Sequence, residues 1–440
     1  MLADLVKQGV AFHHAGLSSA HRKIIEDSFR EGKIKILTAT PTLAFGVNLP
    51  ARMVIISDYR RYEPGYGYYP ITVLEYKQMV GRAGRPKYDK IGESILIAKT
   101  DEERDYLYTS FVLAKPERIW SKLGVEKILR SHVLATIASE FAHSEQGVYN
   151  FFGRTLYAFQ YDLKAIKGII GKILKFLYDE KMIDVSGQDF KATQFGRRVS
   201  QLYIDPMSAI LIRDGLRSKP ARLTDISFLH MVAHTPDMFP KFRCSNREID
   251  RVALFLEKHS DQLLFEKPNE VADEIAYEEF LAEVKTAWIL KSWIEETSED
   301  EMIESFGVEP GDLYRLISTA EWLLYASIEL AKLLGHKDVL PLISDARERV
   351  AKGIKAELLP LTRLEGIGRV RARRLYDAGL RSIEDLQRAQ LSELVSLPTI
   401  GPGVAKRIKE QIGGYVKRKE WKRISEEEKA EQQALTNYYE

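Results

Sequence analysis

Between Lys33 and Lys99 three short β-rich runs, IKILTAT, MVIIS and ESILIA, alternate with helical or loop segments. That alternation predicts a parallel sheet covered by helices, because parallel strands are buried on both faces and read as near-continuous apolar runs. Upstream, MLADLVKQGVAFHH reads as a helix feeding a further buried strand, so the chain is expected to begin inside an α/β domain with a segment upstream missing. From about Ser121 to Ile204 the pattern changes to helices followed by EKMIDVSGQDFKATQFG, where a helix ends in two short strands around a glycine turn. Helices with a terminal hairpin suggest a winged helix. Pro206 to roughly Glu357 reads as almost entirely helical, with breaks at Pro220, Pro236 to Pro240, Pro310 and Pro341, which fits a bundle. Two similar units follow, LEGIGRVRARRL from Leu364 and LPTIGPGVAKRI from Leu397, joined by a helix-like SIEDLQRAQ; this is an internal repeat. Beyond Gly414 the charged, apolar-poor run to Glu440 reads as a helix fraying into a tail.

A chain of 440 residues exceeds a single core and implies several folding units. With 65 basic against 63 acidic side chains the net charge of +2 predicts no partner, so distribution carries the information. Arg363, Arg369, Arg371, Arg373 and Arg374 crowd one segment, and Lys417, Arg418, Lys419, Lys422 and Arg423 another, whereas Glu295 to Glu304 is acidic. The C-terminal quarter is therefore the segment expected to face a polyanion. One cysteine, Cys244, excludes an intramolecular disulfide and a Cys-rich zinc site and fits a reducing interior, with cytoplasm as the default location. No apolar run approaches the roughly 18 residues needed to cross a bilayer, and the first residues lack a signal-peptide core, so no membrane partner is expected.

In QMVGRAGRP the glycines, Gly81 first, let the backbone approach a ligand while Gln78, Arg82 and Arg85 project to one side. Arginine suits phosphate because its planar fork donates in parallel to two oxygens and stays charged. Taken alone, the stretch reads equally as a surface loop with solvated arginines. FHHAGL (Phe12 to Leu17), TATPTLAFGVNLPA (Thr38 to Ala51) and QMVGRAGRP follow one another in the order and at the spacing of the late motifs of superfamily 2 helicases. The segment resembles the second RecA-like motor domain of the Ski-like DExH helicases, most closely the archaeal Hjm (Holliday junction migration) DNA helicases. The resemblance implies that Arg82 and Arg85 are arginine fingers on the ATP γ-phosphate and that Gln78 orients the attacking water. It also implies that Gly46, Asn48 and Gly81 line the nucleotide cleft and that Thr40 and Thr42 hold the backbone of the tracking strand. The chain departs from that family in having no G-x-x-x-x-G-K-[ST] and no Asp-Glu-x-His; GIIGKI at Gly168 has the wrong spacing and lacks the hydroxyl for magnesium. ATP and Mg2+ would then be bound mainly by a first motor domain absent from this chain, which alone is expected to be inactive.

Between the last two motifs, Tyr59, Tyr62, Tyr66, Tyr68 and Tyr69 surround Pro64, Gly65 and Gly67, which suggests an aromatic β-hairpin. Aromatic cross-strand pairs can simply stabilise such a hairpin; the resemblance implies a strand-separating wedge with Tyr62 and Tyr66 on DNA. In VEPGDLYRLISTAEWLLYASIEL, Pro310 marks a helix start, and Arg315 and Trp322 lie two turns apart on one face. Sequence alone favours a core Trp322 and a solvated Arg315; the resemblance implies instead that both stack on bases of the tracking strand, on the long helix of a ratchet domain. Gly366-Ile367-Gly368 before RVRARRL and Gly401-Pro402-Gly403 before VAKRI read as turns opening basic helices. Such turns present backbone N–H groups to phosphate, with Arg371 and Lys406 nearby. They resemble tandem helix-hairpin-helix motifs, which also serve as protein contacts; this ending favours DNA over RNA. Gln432, Leu435, Tyr438 and Tyr439 fit Q-x-x-h-x-x-a-a, the peptide that docks on a sliding clamp (PCNA).

The expected organisation is an incomplete second motor domain over 1–118, a winged helix over 119–205, a helical ratchet domain over 206–357, a tandem helix-hairpin-helix domain over 358–416 and a charged tail over 417–440. As a whole the resemblance implies the C-terminal part of an ATP-dependent 3′–5′ DNA helicase that binds single-stranded and branched DNA and unwinds forked or branched DNA in replication restart and repair. A non-catalytic DNA-binding and clamp-docking protein and an RNA helicase are the alternatives.

Overall fold

The computed structural model describes residues 2–14, 17, 19–41, 43, 49, 51–63, 67–85, 89–218 and 220–413. Thr42, Gly46, Asn48, Tyr66, Gln432, Leu435, Tyr438 and Tyr439 lie outside the described residues, as do the side chain of Tyr62 and the tail beyond Gly413. The chain divides into two compact units, Met1–Trp120 and Ser121–Glu440.

In the first unit, α1 (Leu2–Lys7) leads into β1 (Val10–His13), α2 (Ser19–Arg30) follows, and β2 (Ile36–Ala39) returns parallel to β1, with Val10 opposite Ile36 and His13 opposite Ala39. Ile25 of α2 buries against Ala11 and Ile34. A second parallel pair joins β3 (Met53–Ile56) to β6 (Glu93–Leu96). Between them run the antiparallel hairpin β4 (Arg60–Glu63) and β5 (Gly67–Pro70), then α3 (Val73–Val80). The helix α4 (Asp101–Leu107) and a wide turn at Tyr108–Val112 close the unit, carrying Leu107 and Phe111 onto Tyr76, Ile56 and Ile71. The Phe111 ring meets Tyr76 edge-on at 5.7 Å and Tyr59 at 5.8 Å, so an aromatic cluster roots both the hairpin and α3. The parallel strands are those expected, but their cover is partial among the described residues: the register partners Ile55 and Ile95 are 57% and 43% exposed.

The second unit begins with α5 (Glu126–Ala138), α6 (Glu145–Phe152), α7 (Leu156–Gln160) and α8 (Leu163–Asp179), followed by the hairpin β7 (Ile183–Ser186) and β8 (Asp189–Ala192) and by α9 (Gln194–Leu202). Gly187, at φ +63°, makes the two-residue turn that the hairpin needs. Five longer helices and two short ones build the next layer: α10 (Pro206–Arg217), α11 (Asp225–His234), α12 (Ile249–His259), α13 (Glu274–Ile294), α14 (Glu299–Phe306), α15 (Pro310–Leu334) and α16 (Leu340–Lys352). Pro310 stands at a helix start, as expected, and Pro341 likewise falls in the first turn of its helix, where a proline N–H is not needed. Leu313, Leu316, Ala320, Leu323, Leu324, Leu330 and Ala331 bury most of α15. One continuous core runs from Leu129 of α5 to Val350 of α16, so the hairpin-bearing helices and the bundle share an interior.

Their joint is polar and buried. The Asp205 carboxylate accepts two hydrogen bonds from the Arg130 guanidinium, both at 2.9 Å, and a third from the Met207 N–H at the start of α10. The Asp205 N–H donates to Asp237 Oδ2 at 2.7 Å, and Lys127 Nζ reaches the Pro236 carbonyl at 2.7 Å. Segments around 205 and 237 are thereby fixed side by side.

The last helices, α17 (Leu359–Thr362), α18 (Arg369–Asp377), α19 (Ile383–Arg388), α20 (Leu391–Val395) and α21 (Pro402–Gln411), have their own small core. Glu296 docks them on the bundle: it accepts two 2.8 Å bonds from Arg373 and one from the Lys355 N–H at 3.0 Å. Arg369 lies 4.7 Å over the Trp293 ring and donates to the Thr297 carbonyl at 2.7 Å.

Candidate nucleotide and nucleic-acid interface

Helix α3 is started by a reciprocal cap: Thr72 Oγ1 accepts from the Glu75 N–H at 3.1 Å, and the Glu75 carboxylate accepts from the Thr72 N–H at 2.8 Å. Its exposed Gln78 and its C-terminal Gly81 lead directly into the arginine turn. That turn is clamped on two sides. The Ala51 N–H donates to the Arg82 carbonyl at 3.0 Å, and the Gly84 N–H donates to the Ala51 carbonyl at 2.7 Å, so the end of TATPTLAFGVNLPA and the start of GRAGR form one small ladder. On the other side Gly92 packs so closely that an added Cβ would stand 2.4 Å from the Ala83 carbonyl carbon, and Gly84 sits at φ +91°. Backbone hydrogen bonds thus join Ala51 to the distant arginine turn, while the close approach of Gly92 to Ala83 and Gly84 holds that turn from behind.

Arg85 is 45% exposed and its guanidinium grips Asp89, with Nε to Oδ2 at 2.8 Å and Nη2 to Oδ1 at 2.9 Å. Arg85 in turn holds the Asp89 carboxyl down to about 2. Asp89 was not anticipated as part of this site, although an acid four residues after an arginine is a readable signal. Arg82 is half-buried, and Thr40 is exposed just past the end of β2, its N–H donating to the His13 carbonyl at 3.2 Å. In the hairpin, Tyr62 stands opposite Tyr68 in register, and the Tyr68 and Tyr69 rings are exposed. No group of three His, Cys, Asp or Glu side chains suited to a metal ion occurs among the described residues.

On α15, Arg315 is partly exposed and donates to the Phe239 carbonyl at 3.2 Å and the Pro240 carbonyl at 3.5 Å, with Asp312 at 3.8 Å. Trp322 packs partly against the core and donates its indole N–H to the Leu202 carbonyl at 3.1 Å. Each of the two flat side chains is therefore oriented by a backbone carbonyl while keeping a share of its surface open.

Four family models match this chain: "Helicase conserved C-terminal domain" over residues 1–87, "Helix-turn-helix domain" over 92–184, "Archaeal helicase, domain 4" over 226–353 and "SAM-like Helix-hairpin-helix tandem" over 358–413. The chain is 42% identical over 421 residues to the ATP-dependent DNA helicase Hel308 of Methanocella arvoryzae, and 41% identical over 419 residues to that of Pyrococcus horikoshii. This chain is similar to archaeal DNA helicases. The similarity extends over 94% of its length in both comparisons, while the chain spans 56% and 58% of the two Hel308 proteins, a little more than half.

Within the part matched as a helix-hairpin-helix tandem, the two copies superimpose in sequence with an offset of 33 residues. The Ile367 N–H bonds the Leu364 carbonyl at 3.1 Å as Ile400 bonds Leu397, and the Ala372 N–H bonds Gly368 at 2.9 Å as Ala405 bonds Gly401 at 3.0 Å. Gly366-Ile367-Gly368 therefore corresponds to Thr399-Ile400-Gly401. The expected pairing with Gly401-Pro402-Gly403 is out of register by two, and Gly403 lies inside α21, equivalent to the exposed Val370. The shift arose because the left-handed position is filled by glycine in one copy, Gly366 at φ +80°, and by a threonine in the other, Thr399 at φ +72°. Gly368 and Gly401 are the helix caps, and space beside Gly366, Gly368 and Gly403 is open.

The arginine cluster is less available than its composition suggested. Arg369 and Arg373 dock the tandem on the bundle, Arg363 approaches Glu348 at 3.5 Å, and Arg371 bridges the two turns, donating to the Thr399 carbonyl at 2.9 Å and the Gly366 carbonyl at 2.7 Å. Lys406 sits 3.7 Å from Glu410 on the exposed side of α21. Arg374 is exposed.

Proposed function

We propose that this chain is the C-terminal part of an ATP-dependent 3′–5′ DNA helicase of the Hel308 or Hjm kind, acting on forked and branched DNA in replication restart and repair. The observation that carries the reading is the clamped arginine turn, set on a chain that shares 41–42% of its residues with DNA helicases over 94% of its length. In this reading Arg82 and Arg85 complete a nucleotide pocket, Gln78 orients water, and Gly81 with Gly46 and Asn48 lines the cleft. The phosphate cradle and Mg2+ site would come from a first motor domain, since no P-loop or Asp-Glu-x-His motif occurs in the sequence. The exposed Ile55 and Ile95 support an α/β layer completed by further chain. The segments 119–205 and 206–357 would be a winged helix and a ratchet domain, Tyr62 and Tyr66 the tip of a separating hairpin, and the C-terminal peptide a clamp ligand.

A non-catalytic DNA-binding role is favoured by one observation, the engagement of Arg85 with Asp89. The Arg85 side chain of that pair is 45% exposed while the Asp89 side chain is 10% exposed, so a phosphate presented by a second motor half can compete with Asp89 for the open side of Arg85. The test is a reconstitution. The purified chain should hydrolyse ATP negligibly, and adding a first motor domain should restore DNA-stimulated turnover. Replacing Arg82 or Arg85 by alanine should then lower turnover by about 10³ or more. Restored turnover that is indifferent to both arginines would overturn the assignment.

A further inference from the structure

Two of the most exposed aromatic side chains of the second unit stand where folding gives them no purpose. Tyr203 is 87% exposed and Phe239 is 75% exposed. Tyr203 also occupies the left-handed region, φ +58° and ψ +19°, at the C-cap of α9, a position where glycine is the usual residue and a bulky ring is strained. An exposed ring kept at a strained backbone position points to a task outside the fold.

The surroundings say what the task is. Tyr203 follows Leu202, whose carbonyl accepts the Trp322 indole N–H, and Phe239 is the residue whose carbonyl accepts from Arg315. The segments bearing the two rings are tied together through the Asp205 N–H and Asp237 carboxylate. Arg315 and Trp322 are two turns apart on α15, about 10 Å. Four flat groups, Phe239, Arg315, Trp322 and Tyr203, thus gather on one rigid joint. The carboxylates of Asp205 and Glu283 are buried and paired and that of Asp237 is paired and mostly covered, whereas the Lys127, Lys241 and Arg315 side chains stay partly in solvent, with Asp312 and Glu126 the exposed acids nearby.

We infer that Tyr203 and Phe239 extend the surface of Arg315 and Trp322 into a four-membered track on which bases of single-stranded DNA stack. The inference rests on the DNA-helicase reading and adds two residues to it. Stacking on aromatic and guanidinium faces is tolerant of sequence, and interspersed cations hold the backbone, which is the combination a single strand requires.

The test uses the full chain and a fluorescent oligo(dT), read by anisotropy at several salt concentrations. Tyr203→Gly should leave the melting temperature unchanged or raised, since glycine suits φ +58°, yet weaken binding about five-fold or more. Phe239→Ala should do the same to affinity, while Tyr203→Phe and Phe239→Tyr should bind as the parent does. The slope of log affinity against log salt should not change in any of them, because no phosphate contact is removed. If the parent and the Trp322→Ala variant differ while Tyr203→Gly and Phe239→Ala match the parent, the four-membered track is wrong and the helicase reading stands. If the parent does not bind the oligonucleotide at all, both fall.

Discussion

Replacing Arg130 with methionine tests whether the joint between the hairpin-bearing helices and the bundle is as rigid as its geometry implies. Arg130 offers both arms of its guanidinium to Asp205, whose carboxylate is fully buried, and its stem packs near Phe176, with the cation 5.3 Å from that ring. Methionine keeps the stem and removes the charge. The Asp205 carboxylate would retain one donor, the Met207 N–H. Removing one partner of a buried pair costs about 3–5 kcal/mol, because the other charge stays buried without compensation. The surviving hydrogen bond argues for the lower end, about 3 kcal/mol, which for a unit of this size lowers the melting temperature by about 4 °C. Thermal unfolding followed by circular dichroism at 222 nm measures this. Adding Asp205→Asn to the methionine variant should recover most of the loss, since asparagine can cap α10 without a charge. A shift below about 2 °C in the single variant would refute the reasoning and leave the joint held by packing alone.

Three further outcomes follow from other sites. His230 is fully buried beside Phe280, His234 and Phe265, and burial pushes its imidazole down to about 3. The unfolded chain, with a usual value near 6.5, takes up a proton that the folded chain refuses. Stability should therefore fall as pH drops below about 6.5, by up to about 1.4 kcal/mol per pH unit, and His230→Phe should flatten that slope in urea titrations between pH 6.5 and 5; an unchanged slope would count against it. In the tandem, Thr399→Gly should stabilise and Gly366→Ala destabilise by about 1 kcal/mol each, read by urea denaturation, and equal signs would contradict the left-handed assignment. In an enzyme completed with its first motor domain, shortening the hairpin from Glu63 to Tyr68 should abolish strand separation while sparing DNA-stimulated ATPase; parallel loss of both would argue against a wedge.

What the sequence made legible was whatever depends on local pattern. Pro310 at a helix start, the long apolar stripe of α15, the hairpin around Gly187 and the parallel runs of the first unit all follow from periodicity and turn chemistry. Illegible was what depends on how distant segments meet. The Glu296 carboxylate turns Arg373 inward, and Trp293 and Thr297 do the same for Arg369, so two arginines of a basic run that reads as polyanion-facing are docking contacts within the chain. Trp322 divides the two readings offered for it: its indole N–H is anchored to Leu202 and its ring packs on the core, but it remains partly open. The misplaced register of the repeat has a chemical cause. Matching letters favoured the second Gly-x-Gly, whereas the backbone repeats through buried Ile367 and Ile400 and through a left-handed residue that need not be glycine.

Because Arg371 donates to the carbonyls of both turns, and both turns also close on one small core, the twin loops are held to each other as well as to their own helices. A load placed on one loop is therefore shared with its twin instead of being absorbed locally.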